Sequence, residues 1–208
     1  MSMGCRRVVV GALLSGLLLV SSPGTAPAGE PQEKVRETVN AVLAVLQDKS
    51  LQGPDNTDRR REKMRQAVFQ RFGFEEMAQR ALGQYWQKRT PAEKKEFIGL
   101  FGELLERSYV NKIESYSGEQ MVQYTKETIE KDGYASVQTA VVNKRDLNVE
   151  VVYRLLQRDG NWQVYDVIIE RVSLVNNYRT QFDNIVSQES YEALVKKLKL
   201  KLEQERAT

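Results

Sequence analysis

Between Gln120 and Val172 the chain switches to a period of two. Four runs, at 120–130, 135–143, 147–157 and 161–172, are rich in Val, Ile, Thr and Tyr. The breaks between them are Lys131-Asp132-Gly133, Lys144-Arg145-Asp146 and Asp159-Gly160-Asn161. Short polar breaks of this kind join neighbouring antiparallel strands. The pattern predicts a four-stranded antiparallel meander. Its last two strands are apolar on both faces. Val149, Val151, Tyr153 and Leu155 alternate with Val152 and Leu156, while Trp162, Val164 and Ile168 alternate with Tyr165, Val167 and Ile169. A sheet with one wet face alternates more cleanly. Either both faces are covered, or one lines an apolar cavity.

Helical spacing brackets the meander. Residues 31–48 carry Val35, Val39, Val42, Leu43 and Leu46 on one stripe, with Pro31 in the first turn. Lys49–Thr57 reads as a loop. Residues 58–72 follow as a helix with Met64, Val68 and Phe69 inward. Phe74–Leu82 reads as a short helix closed by Gly83. Thr90-Pro91-Ala92-Glu93 is a capping box with proline at the first helical position. The helix it opens runs to about Ser115, with Phe97, Phe101, Leu104, Leu105, Tyr109 and Ile113 on one stripe. Leu174–Val186 and Tyr191–Glu205 close the chain. Helices, meander, helices is an α+β order, with helices wrapped on a curved sheet.

The N-terminus has a different purpose. Arg6 and Arg7 precede thirteen uncharged residues, Val8 to Val20, and Ala26 and Ala28 stand as A-x-A before Gly29. This is the pattern of a secretory signal peptide over 1–28. A retained anchor is the rival reading, but a bilayer needs about 20 apolar residues. Removing 1–28 leaves 180 residues and takes away only Arg6 and Arg7 among the charged residues, so net charge falls from +3 to +1. A phosphate-tracking nucleic-acid protein is not supported by that balance. The remaining 29–208 form one domain, expected to be exported, soluble and monomeric.

Residue types close most enzyme chemistry. The chain has no histidine and a single cysteine, Cys5. Ser-His-Asp and Cys-His catalysis, His-bearing metal sites, Cys₄ zinc sites and intrachain disulfides are therefore unavailable. No Gly-rich phosphate loop, G-x-S-x-G or EF-hand pattern occurs. No cofactor and no metal site is expected. Asp166 is the exception to weigh, because it sits among Val164, Tyr165, Val167 and Ile168. A buried carboxylate is either a base with a raised pKa or one partner of an ion pair, for which Arg179 is the candidate.

Two stretches then match a known family. One runs from Phe74-Glu75-Glu76-Met77-Ala78-Gln79-Arg80-Ala81-Leu82-Gly83 through Trp86 to Thr90-Pro91-Ala92-Glu93, Phe97 and Phe101. The other is Trp162-Gln163-Val164-Tyr165-Asp166-Val167, followed by Val172-Ser173-Leu174-Val175-Asn176-Asn177-Tyr178-Arg179 and Phe182. The chain resembles the MlaC and toluene-tolerance auxiliary family of periplasmic lipid carriers. The resemblance implies an NTF2-like fold, a curved sheet wrapped by helices around a deep apolar pocket. It implies a diacyl glycerophospholipid as ligand, with acyl chains inside. It also implies two partners, an inner-membrane MCE-type ABC transporter and an outer-membrane lipoprotein–porin complex, and a role in outer-membrane lipid asymmetry. A hopanoid-associated branch of the family stays open, as does an NTF2-like enzyme using Asp166.

Under that resemblance the apolar faces supply candidate pocket residues. The helices contribute Met77, Leu82, Phe101, Leu104, Leu105 and Tyr109. The sheet contributes Val151, Tyr153, Val167, Ile169 and Val172, and the segment beyond it Leu174, Tyr178 and Phe182. For each, ordinary core packing is the alternative. Asp166, Asn177 and Arg179 are expected to fix the junction of sheet and helix rather than to touch a headgroup.

Overall fold

The computed structural model describes residues 29–114, 120–142 and 148–206. The expected signal peptide, with Cys5 and the Ala28 cleavage point, and the Lys144-Arg145-Asp146 connection lie outside the described residues. Six helices and a five-stranded sheet make up the rest: α1 (Glu30–Gln47), α2 (Thr57–Phe69), α3 (Phe74–Leu82), α4 (Pro91–Glu114), β1 (Met121–Ile129), β2 (Tyr134–Val142), β3 (Asn148–Arg158), β4 (Asn161–Ile169), β5 (Val172–Ser173), α5 (Leu174–Gln188) and α6 (Tyr191–Arg206). The architecture is α+β, with an antiparallel sheet of order β1-β2-β3-β4-β5.

Local chemistry sets several boundaries. At the start of α4 the Thr90 hydroxyl accepts from the Glu93 N–H at 3.3 Å, and the Glu93 carboxylate accepts from the Thr90 N–H at 2.7 Å. That reciprocal pair satisfies two otherwise orphaned groups. Gly83 ends α3 at φ 56°, ψ −127°, a conformation closed to a side chain, and a 3-10 helix then runs over Gly83–Lys88. The segment 49–57, expected as a plain loop, holds two short 3-10 turns before α2 begins at Thr57.

The expected four strands are five. Glu170 and Arg171 take φ of 50° and 67° and reverse the chain, so that β5 pairs back on β4 through Ile168–Ser173 and Ile169–Val172. The sequence gives no warning of this turn, because neither residue is a glycine or asparagine, the types that adopt a left-handed backbone at low cost.

A β-bulge in β4 decides what the sheet presents. Leu155 pairs with Val164, but Arg154 pairs with Asp166 and Tyr153 with Val167, leaving Tyr165 as the extra residue. Strict alternation would place Trp162, Val164, Asp166 and Ile168 on one face. The bulge advances the phase by one residue. Val164, Val167 and Ile169 therefore share a face with Val151, Tyr153 and Leu155, and Asp166 and Ile168 point to the other. The alternation expected from sequence, with Ile168 beside Val164, is corrected accordingly.

Two apolar clusters result. One is helical and unites Met77, Leu82 and Trp86 with Phe97, Phe101, Leu104, Tyr178, Phe182, Leu194 and Leu198. Its centre is an aromatic group in which Phe101 meets Tyr178 and Phe182 edge-on at 5.4 and 5.6 Å. The other lies on the inner face of the sheet, where Val35 of α1 meets Ala135, Val137, Val151, Leu155, Val164, Val167 and Leu174.

Asp166 joins the two. It is almost fully buried, and its carboxylate accepts from the Ser173 hydroxyl at 2.7 Å and from the Val175 N–H at 3.1 Å. Ser173 in turn caps α5 by accepting from the Asn176 N–H at 3.0 Å. The ionic partner is Arg154, at 3.6 Å, not Arg179. Arg179 faces outward and crosses Gly83, while Asn177 is exposed, so neither fixes the junction of β4 and α5.

Asp166→Asn should lower stability by about 1–3 kcal/mol, since it removes a charge-assisted acceptor shared by two donors. Arg179→Ala should change stability by less than about 1 kcal/mol, as befits an exposed side chain. Urea denaturation of both variants checks this. Equal losses would restore an Asp166–Arg179 pair.

Candidate functional site

The inner face of the sheet does not close fully against α1. A cavity of about 520 Å³ remains between the sheet, α1, α2 and the second half of α4. Ligand pockets typically enclose roughly 300–1,000 Å³. Its floor is Val149, Val151, Tyr153, Val164, Val167 and Ile169 of β3 and β4. Val35, Val39, Val42, Leu43 and Leu46 form the α1 wall, Met64, Val68 and Phe69 the α2 wall, and Leu105, Tyr109, Val110 and Ile113 the α4 wall.

Helix α1 is held in place by its ends and its outer face. The backbone N–H groups of Gly29 and Gln32 both donate to the Glu127 carboxylate of β1 at 2.8 Å. A carboxylate at a helix N-terminus satisfies free donors and complements the helix dipole. The Trp162 indole N–H donates to Glu30 at 3.3 Å. Arg71, between α2 and α3, donates to the Trp162 carbonyl and to Glu37 of α1. Beside it, the Gly73 N–H donates to the Val164 carbonyl at 2.9 Å and the Val164 N–H donates to the Arg71 carbonyl at 2.8 Å, which covers the β4 edge at Val164.

Polar atoms in the wall are turned inward on the protein. The Thr38 hydroxyl donates to the Lys34 carbonyl at 3.1 Å. Burial pushes the Tyr153 phenol far above its ordinary value, so it is a neutral group at any physiological pH. Burial also raises the Glu106 carboxyl, against the opposing pull of Arg65 and Arg107. Charge gathers where the cavity meets solvent, with Arg61 and Arg65 of α2 and Lys112 of α4.

The structure divides the candidate pocket residues. Met77, Leu105, Tyr109, Val151, Tyr153, Val167, Ile169, Val172 and Leu174 line the cavity. Leu82, Phe101, Leu104, Tyr178 and Phe182 do not, for they pack in the helical cluster among α3, α4, α5 and α6. The α4 stripe explains the split. Its first half is buried against α5 and α6, and only from Leu105 onward does it pass over the sheet. Asp166 lies on the face of β4 turned away from the cavity, against the start of α5. Among the described residues no cluster of three or more potential metal ligands occurs, and no helix is long and apolar enough to cross a membrane.

The α1 and α2 walls were absent from the candidates. Their apolar stripes are plain in the sequence, but a stripe shows only that a face is covered. Whether it meets another side chain or a cavity depends on how far the helix stands from the sheet.

Comparison with known proteins agrees with this geometry. The family model described as MlaC protein matches residues 36–200. The intermembrane phospholipid transport system binding protein MlaC of Haemophilus influenzae is 20% identical over 122 residues, 57% of this chain and 57% of that protein. The chain thus aligns with a little over half the length of that curated relative. The solved structure of a phospholipid-binding protein from Ralstonia solanacearum, in complex with a phospholipid, superposes with a TM-score of 0.78 at 26% identity, covering 86% of this chain and 99% of that one. With the family model spanning most of its length, the chain belongs to the MlaC family.

Proposed function

We propose that the mature chain, residues 29–208, is a periplasmic carrier that binds glycerophospholipids and passes them between the outer and inner membranes. The observation that carries this reading is the cavity under the sheet, lined predominantly by apolar side chains, with Arg61, Arg65, Arg71, Glu106 and Lys112 the charged residues in its lining. The Haemophilus influenzae and Ralstonia solanacearum proteins, described as a phospholipid transport system binding protein and as a phospholipid complex, support the choice of ligand. Export would follow from the signal peptide over 1–28. The partners in this reading are an MCE-type ABC transporter at the inner membrane and a lipoprotein–porin complex at the outer membrane, and the outcome is maintenance of outer-membrane lipid asymmetry.

The energetics call for a carrier and not for a catalyst. Exposing a methylene to water costs about 0.8 kcal/mol. Two chains of about 16 carbons would cost roughly 25 kcal/mol, which forbids free passage through water. A dry cavity replaces the bilayer for the journey, and no bond need be made or broken.

Organic extraction and mass spectrometry of the exported protein test the reading directly. The expected result is co-purifying diacyl phospholipid and an N-terminus at Gly29. Hopanoid in its place would select the other branch of the family. Protein that never carries lipid would refute the carrier.

Val167→Glu tests the cavity wall. An unpaired charge in an apolar site costs several kcal/mol. A cavity can admit water to it, whereas a close-packed core cannot. The variant should fold, by circular dichroism, yet carry little lipid. Leu104→Glu, in the helical cluster, should fail to fold. A folded Val167→Glu protein with a full lipid load would remove this face from the site.

A further inference from the structure

We propose that the α-ammonium group created at Gly29 by removal of residues 1–28 is a working part of the mature carrier: it pairs with Glu127 of β1 and latches α1 over the cavity. The inference rests on the carrier reading and on cleavage after Ala28, and it adds what that cleavage does for the folded protein.

Geometry comes first. The Glu127 side chain stands at the N-terminus of α1. Its Oε2 accepts from the Gly29 nitrogen and its Oε1 from the Gln32 N–H, both at 2.8 Å. While residue 28 is attached, the Gly29 nitrogen is an uncharged amide with one hydrogen. Cleavage turns the same atom into an ammonium group. A hydrogen bond to a carboxylate thereby becomes an ion pair without any change of position. Gly29 and Glu127 are both half-buried, and charges in such places are screened less than at an open surface.

The residue after the cleavage point is fitted to Glu127. The A-x-A motif is complete at Ala28, so the glycine that follows has a reason of its own. A Cβ at position 29 would lie 2.8 Å from both the Cδ and the Oε1 of Glu127, inside contact distance. A larger residue would push the carboxylate off the helix end. Charge adds a second constraint. A bare ammonium at a helix N-terminus opposes the helix dipole, and a carboxylate beside it reverses that cost.

What the latch holds is a cavity wall. Helix α1 has no side-chain cap of its own at Gly29, and Glu127 supplies the acceptor from the sheet. A second tie of the first turn, from the Trp162 indole to Glu30, is longer at 3.3 Å. Val35, the first apolar residue of the α1 wall, follows three positions after Gln32 and is 1% exposed. Loosening the first turn therefore acts directly on the wall. With the signal peptide attached, the neutral amide holds α1 less firmly. Cleavage tightens the wall as it frees the protein to carry lipid.

The test compares the mature protein with the same protein Nα-acetylated at Gly29, its lysines shown unmodified by mass spectrometry. Acetylation keeps the Gly29 N–H and removes the charge, as an attached signal peptide does. Both forms are loaded with fluorescent phosphatidylglycerol, and release to acceptor vesicles is timed. The acetylated protein should release lipid about two- to fivefold faster at equal loading, the size of a modest ion pair, and the difference should shrink at high salt. In Glu127→Gln the effect of acetylation should vanish or reverse, because the ammonium then faces the dipole alone. Should Glu127→Gln not fold, Gly29→Ala should show the same loss of the acetylation effect. Equal release by the native and acetylated proteins, or an undiminished acetylation effect in these variants, overturns the proposal. Exported protein that starts at a residue other than Gly29 overturns the latch and leaves the carrier standing. Native protein that loads no lipid refutes the carrier reading itself.

Discussion

The extra residue in β4 is the constraint on which the cavity depends. Without the bulge at Tyr165, the carboxylate of Asp166 would point into the space beneath the sheet, between Val164 and Ile168. A charge there would either pull water in or be neutralised at a cost of several kcal/mol. With the bulge, the carboxylate turns to the opposite face and Val167 and Ile169 take its place over the cavity. The same shift brings Asp166 to the first turn of α5, where Ser173 and the Val175 N–H need an acceptor. One inserted residue thus keeps the cavity apolar and docks the helical layer on the sheet.

The protein separates two tasks that globular domains usually combine. The helical cluster around Phe97, Phe101, Tyr178 and Phe182 is close-packed, with ring centroids between 5.4 and 6.0 Å for the pairs Phe101 makes. Such packing supplies stability without reference to any ligand. The inner sheet face is covered by α1 and α2, which are tied down at their margins by Glu127, Glu37, Arg71 and Trp162. Because stability comes from one region, the other can hold a large cavity. A domain with one core for both purposes would lose stability in proportion to the volume left unfilled.

This division also explains why residues of identical type on one helix have different roles. Leu104 and Leu105 are neighbours in α4, both buried. Only Leu105 reaches the cavity. The helix is long enough, over Pro91–Glu114, to cross from the helical cluster to the sheet. The family signature shows a parallel contrast. Asp166, Ser173 and Tyr178 face inward with named partners, whereas Asn177 and Arg179 within the same run are exposed.

The sequence by itself determined the order of the six α-helices and of the first four strands, the antiparallel meander with its Asp-Gly turns, the capping box of α4 and the apolar stripes of the helical walls. These are local properties, set by periods of 3.6 and 2 and by turn chemistry, and they survive in any tertiary context. It also determined which residue types are present, since a chain with no histidine and one cysteine has no His-based catalysis and no His or Cys₄ metal site. Only the tertiary structure decided which apolar faces meet each other and which meet a cavity. It placed Phe101 and Leu82 in the core and Val42 and Phe69 in the wall, a choice that depends on distances between elements far apart in the chain. It assigned Asp166 to Ser173, Val175 and Arg154 instead of Arg179, because a bulge of one residue, silent in the pattern of Trp162–Ile169, fixes where that carboxylate points.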